Sequence, residues 1–247
     1  MNLISQIEHP CILKFIGFSP KSFGNEAKPV IINEILKTKT LKEILQKERE
    51  SGLIDGWNPT KKLIVIYGIA SAMRCLHSYN IIHRNLNPAT ILLTSSFIPK
   101  LTDFGLCTHL LIMNSMTFQS TNRIASSPAY SAPEILNSDE CTKSSDVYSF
   151  SMIVYEIVTR EKPFFEIKTF SEIYKKVVRK QKRPKLNEEV PECYRRLIEL
   201  CWSQNPEERL RFDQIIDILK NEESFISNGV DRNLFHIYID QIDRNFF

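Results

Sequence analysis

The chain has 247 residues, 43% of them apolar and 25% charged, with a formal net charge of +3. That is enough chain for one large domain or two small ones in ordinary globular proportions, so a folded core is expected. The charge is too small to argue for nucleic acid, and the longest apolar runs, near "LIVIYGIASAM" and "FSMIVYEIV", fall far short of a membrane span. The opening "MNLISQIEHP" has no basic stretch followed by an apolar core, so no signal peptide is expected. Cys11, Cys75, Cys107, Cys141, Cys193 and Cys201 are scattered, with no zinc-type spacing, and read as reduced thiols of a cytoplasmic protein.

Taken in chain order, residues 2–8 carry Leu3, Ile4 and Ile7 at helical spacing and are expected to end a helix. Two strand-like runs follow, "CILKFIGF" and "PVIINEIL", separated by a polar loop containing Gly24 and Asn25. Thr40 with Glu43 three residues on is a capping-box pattern, and it predicts a helix through "LKEILQKERE" that stops near Gly52. Asn58 at an N-cap and Pro59 in the first turn open a longer helix, with Leu63, Ile66, Ile69, Ala70, Met73 and Leu76 at helical spacing and Asn80 able to end it. Loop and short strand are expected through residue 105, then a surface loop rich in Ser and Thr. "SDVYSFSMIVYEIVT" (145–159) is apolar on nearly every side, the mark of a buried helix. Three more helices are expected near 170–180, 191–203 and 210–220. The tail, 223–247, sets Leu234, Ile237, Tyr238 and Ile242 at amphipathic spacing. A few strands followed mostly by helices make an α+β arrangement with the sheet at one end.

Four motifs stand in order along this frame: "HRNLNPATILL" at 83–93, Asp103-Phe104-Gly105, Ala132-Pro133-Glu134, and "SSDVYSF" with Asp146. "CWSQNPEERLRF" closes the series. In this order and context they resemble the eukaryotic protein kinases over about residues 1–222. "HPCILKFIGF" and "IINEIL" are similar to the tyrosine-kinase-like branch, while "NPAT" is nearer the Ser/Thr loop pattern. The resemblance implies a kinase-like fold: residues 1–36 as the remnant of a truncated, β-rich N-lobe, 37–222 as a complete, mainly helical C-lobe, and 223–247 as a tail. Because "EHP" matches the turn after the family's regulatory helix, the phosphate-covering glycine loop, the strand Lys and its Glu partner are expected to be missing.

The resemblance also implies roles. His83-Arg84-Asn85 stands where the family has His-Arg-Asp, so Asn85 takes the position of the catalytic base. Asn87 replaces the Lys that neutralises the travelling phosphoryl group, and Thr90 replaces the Asn that holds a magnesium ion; both are read as drift in a loop that no longer catalyses. Asp103 falls on a metal-ligand position, with a plain turn Asp as the alternative, and Thr90 would offer the metal only a neutral hydroxyl. Glu34 and Leu36 fall on the adenine hinge, Asn33 on the gatekeeper position and Leu92 on the pocket floor. Ile4, Phe15, His83 and Phe104 fall on the regulatory spine, whose base Asp146 would anchor; the bland alternative is core packing, with Asp146 merely favouring a helix N-terminus. Arg209 is the usual partner of Glu134. Arg84 would grip a phosphate on the activation segment, where Ser115, Thr117, Ser120, Thr121, Ser126 and Ser127 are candidates, or else bond loop carbonyls. The basic run "KKVVRKQKRPK" (175–185) is either a solvated face or a site for acidic partners.

The chemistry follows from these departures. Phosphoryl transfer is mostly positioning and charge neutralisation. Asn85 can accept a hydrogen bond but cannot take up a proton, and loss of a general base costs roughly 10²–10⁴-fold. The implied cofactors are ATP and Mg2+, with binding expected weak or absent. The expected function is that of a catalytically impaired kinase-like domain serving as a signalling scaffold or allosteric partner. Its expected partners are signalling proteins, an active kinase among them, with neither nucleic acid nor membrane. Two rivals stand beside it: a piece of a longer kinase, and an active ATP-dependent Ser/Thr kinase with a non-standard site.

Overall fold

Local signals set the first helices. Thr40 Oγ1 accepts from the Glu43 amide at 3.2 Å and the Glu43 carboxylate accepts from the Thr40 amide at 2.7 Å. This closed capping box opens α1 (Leu41–Ser51), and Gly52, at φ 74°, ends it where a side chain would be strained. Asn58 Oδ1 accepts from the Lys61 amide at 3.0 Å, with Pro59 first in the helix, to start the 20-residue α2 (Pro59–Ser78). The computed structural model describes residues 7–22, 24, 30–36, 38–109, 127–226 and 229–244. The expectations for Leu3 and Ile4, and for Ser115, Thr117, Ser120, Thr121 and Ser126, lie outside the described residues.

The strands are short. β1 (Phe15–Ser19) pairs antiparallel with β2 (Val30–Asn33), with Phe18 opposite Ile31 and a slip in register between Phe15 and Gly17. Both are shorter than their sequence runs. Residues 11–13 pair instead with the other sheet, where Ile12 bridges Leu101 and the Leu13 amide bonds the Leu101 carbonyl at 2.9 Å. Ile16, Phe18, Ile31 and Ile32 stay exposed on this hairpin. β3 (Lys39–Thr40) pairs with β5 (Ile91–Leu93), which pairs with β6 (Pro99–Leu101). β4 (Ile81–Ile82) pairs with β7 (Thr108–His109), all antiparallel.

Helices make up the rest. A short α3 (Pro133–Ser138), which periodicity alone does not mark, precedes α4 (Lys143–Thr159), capped by Thr142 and buried along most of its length. α5 (Phe170–Tyr174) runs on into a wider π turn over Lys175–Arg179. α6 (Glu192–Cys201), α7 (Phe212–Asn221) and α8 (Arg232–Arg244) complete the set. α2 packs on α4, α7, α8 and β6, and α4 packs on α6, so α2 and α4 form the centre of the core.

The tail corrects the expected stripe. α8 buries Phe235, Tyr238, Ile239 and Ile242, whereas Leu234 and Ile237 face out, the latter 55% exposed. The buried set keeps the i, i+3, i+4, i+7 spacing of one helix face, and that face starts one residue later than the sequence reading placed it. Tyr238 crosses α2 above Gly68, and its hydroxyl meets Cys11 Sγ at 3.1 Å. A Cβ at position 68 would lie 2.5 Å from Pro99 Cγ and closer still to the Tyr238 hydroxyl, so only glycine lets these elements approach. All six cysteines are free. Burial pushes the Cys11 thiol up to about 12 and the Cys75 thiol up to about 11, which leaves them unreactive. Among the described residues no helix is long and apolar enough to cross a membrane.

Candidate active site

The loop that follows α2 is held from below by the first turn of α4. Asp146, 2% exposed, uses both carboxylate oxygens. Oδ2 accepts from the His83 amide and from His77 Nε2, each at 2.9 Å, and Oδ1 accepts from the Arg84 amide at 3.0 Å. These bonds hold Arg84 at φ 67°, a left-handed conformation that costs a residue with a side chain about 1–2 kcal/mol. His83 is fully buried. Its Nε2–H donates to the Thr102 carbonyl at 3.1 Å, while Nδ1 accepts from the Asn85 amide at 3.3 Å. The ring is thus neutral, and burial lowers its pKa from the ordinary histidine value. Phe104 meets it edge-on at 5.9 Å, and Phe15 is half-buried in β1 opposite Asn33.

Above His83 the altered residues bond to one another. Asn85 Nδ2 donates to Asp103 Oδ2 at 2.8 Å. Asn87, 4% exposed, donates from Nδ2 to the Asn85 carbonyl at 2.8 Å and to Asn85 Oδ1 at 3.1 Å. Its own Oδ1 accepts from the Ala89 amide at 2.9 Å, which starts the 3-10 turn Pro88–Thr90. Thr90 Oγ1 lies 2.9 Å from the Asn87 carbonyl and 3.2 Å from the Asn85 carbonyl, and accepts from the Asn87 amide at 3.3 Å. Asn87 and Thr90 are therefore turned into the loop. Flipping the Asn85 amide would set its oxygen against a carboxylate and its nitrogen against the Asn87 amide, so the network fixes its orientation.

This donor set does not fit the magnesium that the resemblance implies. Mg2+ requires hard, preferably anionic, oxygens in a near-ideal octahedron. Asp103 supplies the one carboxylate here, and its Oδ2 already faces an amide NH2. The Thr90 oxygen is engaged within its own turn. Among the described residues no group of three or more His, Cys, Asp or Glu side chains could hold a metal ion.

The other candidates are spread around this loop. Glu34 Oε1 accepts from the Lys14 amide at 3.0 Å and from Lys100 Nζ at 3.1 Å, which ties the segment after β2 to β6. Asn33 and Leu36 are half-buried, and Leu92 is half-buried in β5, opposite Thr40 on one side and Lys100 on the other. Arg84 directs Nε to Cys141 Sγ at 3.3 Å. Of the activation-segment candidates only Ser127 is described, and its carbonyl accepts from the Tyr130 amide at 2.9 Å. Glu134 and Arg209 form a bidentate pair at 2.7 and 2.9 Å, and Arg209 also donates to the Ser144 and Ser203 carbonyls. Within the basic run, Arg183 is not a solvated charge: it donates to the Trp202 carbonyl and Gln204 and stacks over Tyr148 at 5.1 Å.

Two arrangements had no signal in the sequence. His77, on the last turn of α2, shares Asp146 with the catalytic loop. Glu156, 2% exposed on α4, accepts from the Tyr130 hydroxyl and from Arg49 Nη1 at 2.9 Å. This links α1 to the end of the activation segment across partners 107 and 26 residues away from Glu156, separations that no motif spacing records.

A family model for protein tyrosine and serine/threonine kinases matches residues 1–219. A probable serine/threonine-protein kinase of Dictyostelium discoideum is 30% identical over 223 residues, which are 90% of this chain and 13% of that protein. The probable serine/threonine-protein kinase drkC of the same organism is 32% identical over 224 residues, 88% of this chain and 28% of the relative. Serine/threonine-protein kinase CTR1 of Arabidopsis thaliana is 29% identical over 220 residues, 88% of this chain and 25% of the relative. The chain thus spans less than a third of the length of these relatives. With the catalytic loop seated on Asp146, the Glu134–Arg209 pair formed, and a family match over most of its length, the chain belongs to the protein kinase family.

Proposed function

We propose that this domain keeps the kinase fold but has lost efficient phosphoryl transfer, and that it acts as a pseudokinase of the tyrosine-kinase-like type, binding other signalling proteins in the cytoplasm. One observation carries the reading: at the position of the base stands Asn85, whose amide is bonded to Asp103 and Asn87 and has no site for a proton. Asn87 supports it further, since a neutral side chain folded into the loop brings no positive charge to a phosphoryl group. Weak or absent binding of ATP with Mg2+ belongs to the same reading. Active Ser/Thr phosphorylation is the second reading, favoured by the retained Asp103 and by the kinase names of the longer relatives.

The test is transfer of radiolabel from ATP to a generic Ser/Thr substrate and to the chain itself, in parallel with an Asp103→Asn variant. The proposal expects the two proteins to be indistinguishable. Labelling by the parent chain that the variant loses would refute it.

A further inference from the structure

We infer that the surface formed by α5, its π turn and residues 180–185 binds an acidic segment of a partner protein, one with an aromatic residue among its carboxylates. The inference rests on the reading of this domain as a binder of other proteins and names the chemistry of one partner. The run 175–185 holds seven of the chain's 32 lysines and arginines and none of its 29 aspartates and glutamates, so the rest of the chain sums to −4. The fold uses two of the seven internally. Lys176 pairs with Glu166 and lies 5.5 Å over the Phe164 ring, and Arg183 is turned inward onto Tyr148. Lys175, Arg179, Lys180, Lys182 and Lys185 are exposed, and among the described residues none of them pairs with a carboxylate.

The backbone presents these charges on a firm base. Ile173 and Val177 are buried, and the Tyr174 hydroxyl donates to Asn137 Oδ1 at 3.2 Å, which seats α5 on α3. The Lys180 amide bonds the Lys175 carbonyl at 3.0 Å and the Lys182 amide bonds the Lys176 carbonyl at 2.9 Å. The wide turn therefore folds back and gathers cations that an extended chain would spread. Crowded like charges repel one another, and an anion bound among them relieves that repulsion. Rings extend the surface. Phe170, 40% exposed, stacks on Tyr174 at 6.5 Å and 24°, and the Arg179 guanidinium covers Tyr174 at 5.7 Å. An incoming ring has Phe170 to pack on while the carboxylates beside it meet the cations. The surface is also bounded, because Glu172, Glu188 and Glu189 are exposed and flank it in sequence. A nucleic acid or a lipid surface would carry its anions past that boundary, against a chain that is otherwise net acidic. A short acidic segment stays within it.

Fluorescence anisotropy tests this with a labelled oligoglutamate peptide that carries one central phenylalanine. The parent chain should bind it saturably, and more weakly as salt rises from about 50 to about 300 mM. Lys180→Glu/Lys182→Glu should weaken binding at least about fivefold, while Lys42→Glu/Lys47→Glu, the same charge change on the exposed side of α1, should leave it within about twofold. Phe170→Ala should weaken this peptide more than one whose central residue is alanine. Should the first double reversal lower the melting temperature, Lys180→Gln/Lys182→Gln takes its place, with a loss of at least about twofold expected. No saturable binding by the parent, or equal losses from the two double reversals, would overturn the inference. Equal effects of Phe170→Ala on the two peptides would overturn its aromatic part. Tighter binding of oligothymidylate or of phosphatidylserine vesicles, lost in Lys180→Glu/Lys182→Glu, would overturn the choice of a protein partner. The assay involves no phosphoryl transfer, so this claim and the loss of catalysis fail separately.

Discussion

Replacing Asp146 with alanine strands three donors at once: the His83 and Arg84 backbone amides and His77 Nε2. Each buried amide left without an acceptor costs about 1–3 kcal/mol, so the two backbone groups together cost about 2–6 kcal/mol. The bonds that offset the left-handed Arg84 are lost as well. For a chain of this size about 1 kcal/mol moves the melting temperature by about 2–4 °C, so the variant should melt between about 4 and 24 °C below the parent. Asp146→Asn keeps one acceptor oxygen but turns an NH2 group towards a donor, and should fall between the two. Thermal melting followed by circular dichroism gives the magnitude. Amide exchange locates it: His83 and Arg84 should exchange fast in Asp146→Ala while the amides of α6 stay protected. If Asp146→Ala melted within about 2 °C of the parent with both amides still slow, the anchoring argument would be wrong.

Two further predictions concern the core. Gly68→Ala gains up to about 1 kcal/mol in helix propensity but drives a methyl into Pro99 and Tyr238, an overpacking worth about 1–3 kcal/mol, so a net loss of stability is expected. Adding Tyr238→Phe, which removes the hydroxyl the methyl meets, should recover part of that loss in a double-mutant cycle, and strict additivity would count against the packing account. The second prediction is acid sensitivity. Burial, with Arg74 and Lys100 nearby, lowers the His9 pKa to about 4, and burial also lowers that of His83. The folded chain keeps these rings neutral while the unfolded chain protonates them. Stability should therefore be full above about pH 6.5 and fall between pH 6.5 and about 4, by about 3 kcal/mol from His9 alone. Urea titrations across that window check it, and His9→Gln should flatten the slope.

What could be read in the sequence was mostly local. Thr40 with Glu43, Asn58 with Pro59, and the all-round apolar run at 145–159 each carry their signal within a few residues, and the helices start where those signals stand. Where a distant contact decides, the sequence is silent. Cys11–Leu13 has strand composition, yet it leaves the β1–β2 ladder because the Cys11 carbonyl accepts from the Leu101 amide and the Leu13 amide donates to the Leu101 carbonyl, about 90 residues on. The buried face of α8 is chosen by its packing on α2, which takes Phe235 and Ile239 and leaves Leu234 and Ile237 in solvent. At the site, the motifs named Asp146, Glu134 and Arg209, because short patterns identify residues. They could not show that Asn85, Asn87 and Thr90 complete one another. Taken singly, Asn87 and Thr90 look like drift; in the fold each supplies a donor or acceptor that the other uses.

The account rests on the closed state of the catalytic loop, and the side-chain amide of Asn85 reports on it directly. In a 15N-labelled chain its two Nδ2 protons should be inequivalent, one shifted downfield by the Asp103 carboxylate, protected from solvent and unmoved by Mg2+. A pair of fast-exchanging amide protons at free-asparagine positions, or a shift that tracks added Mg2+, would contradict it.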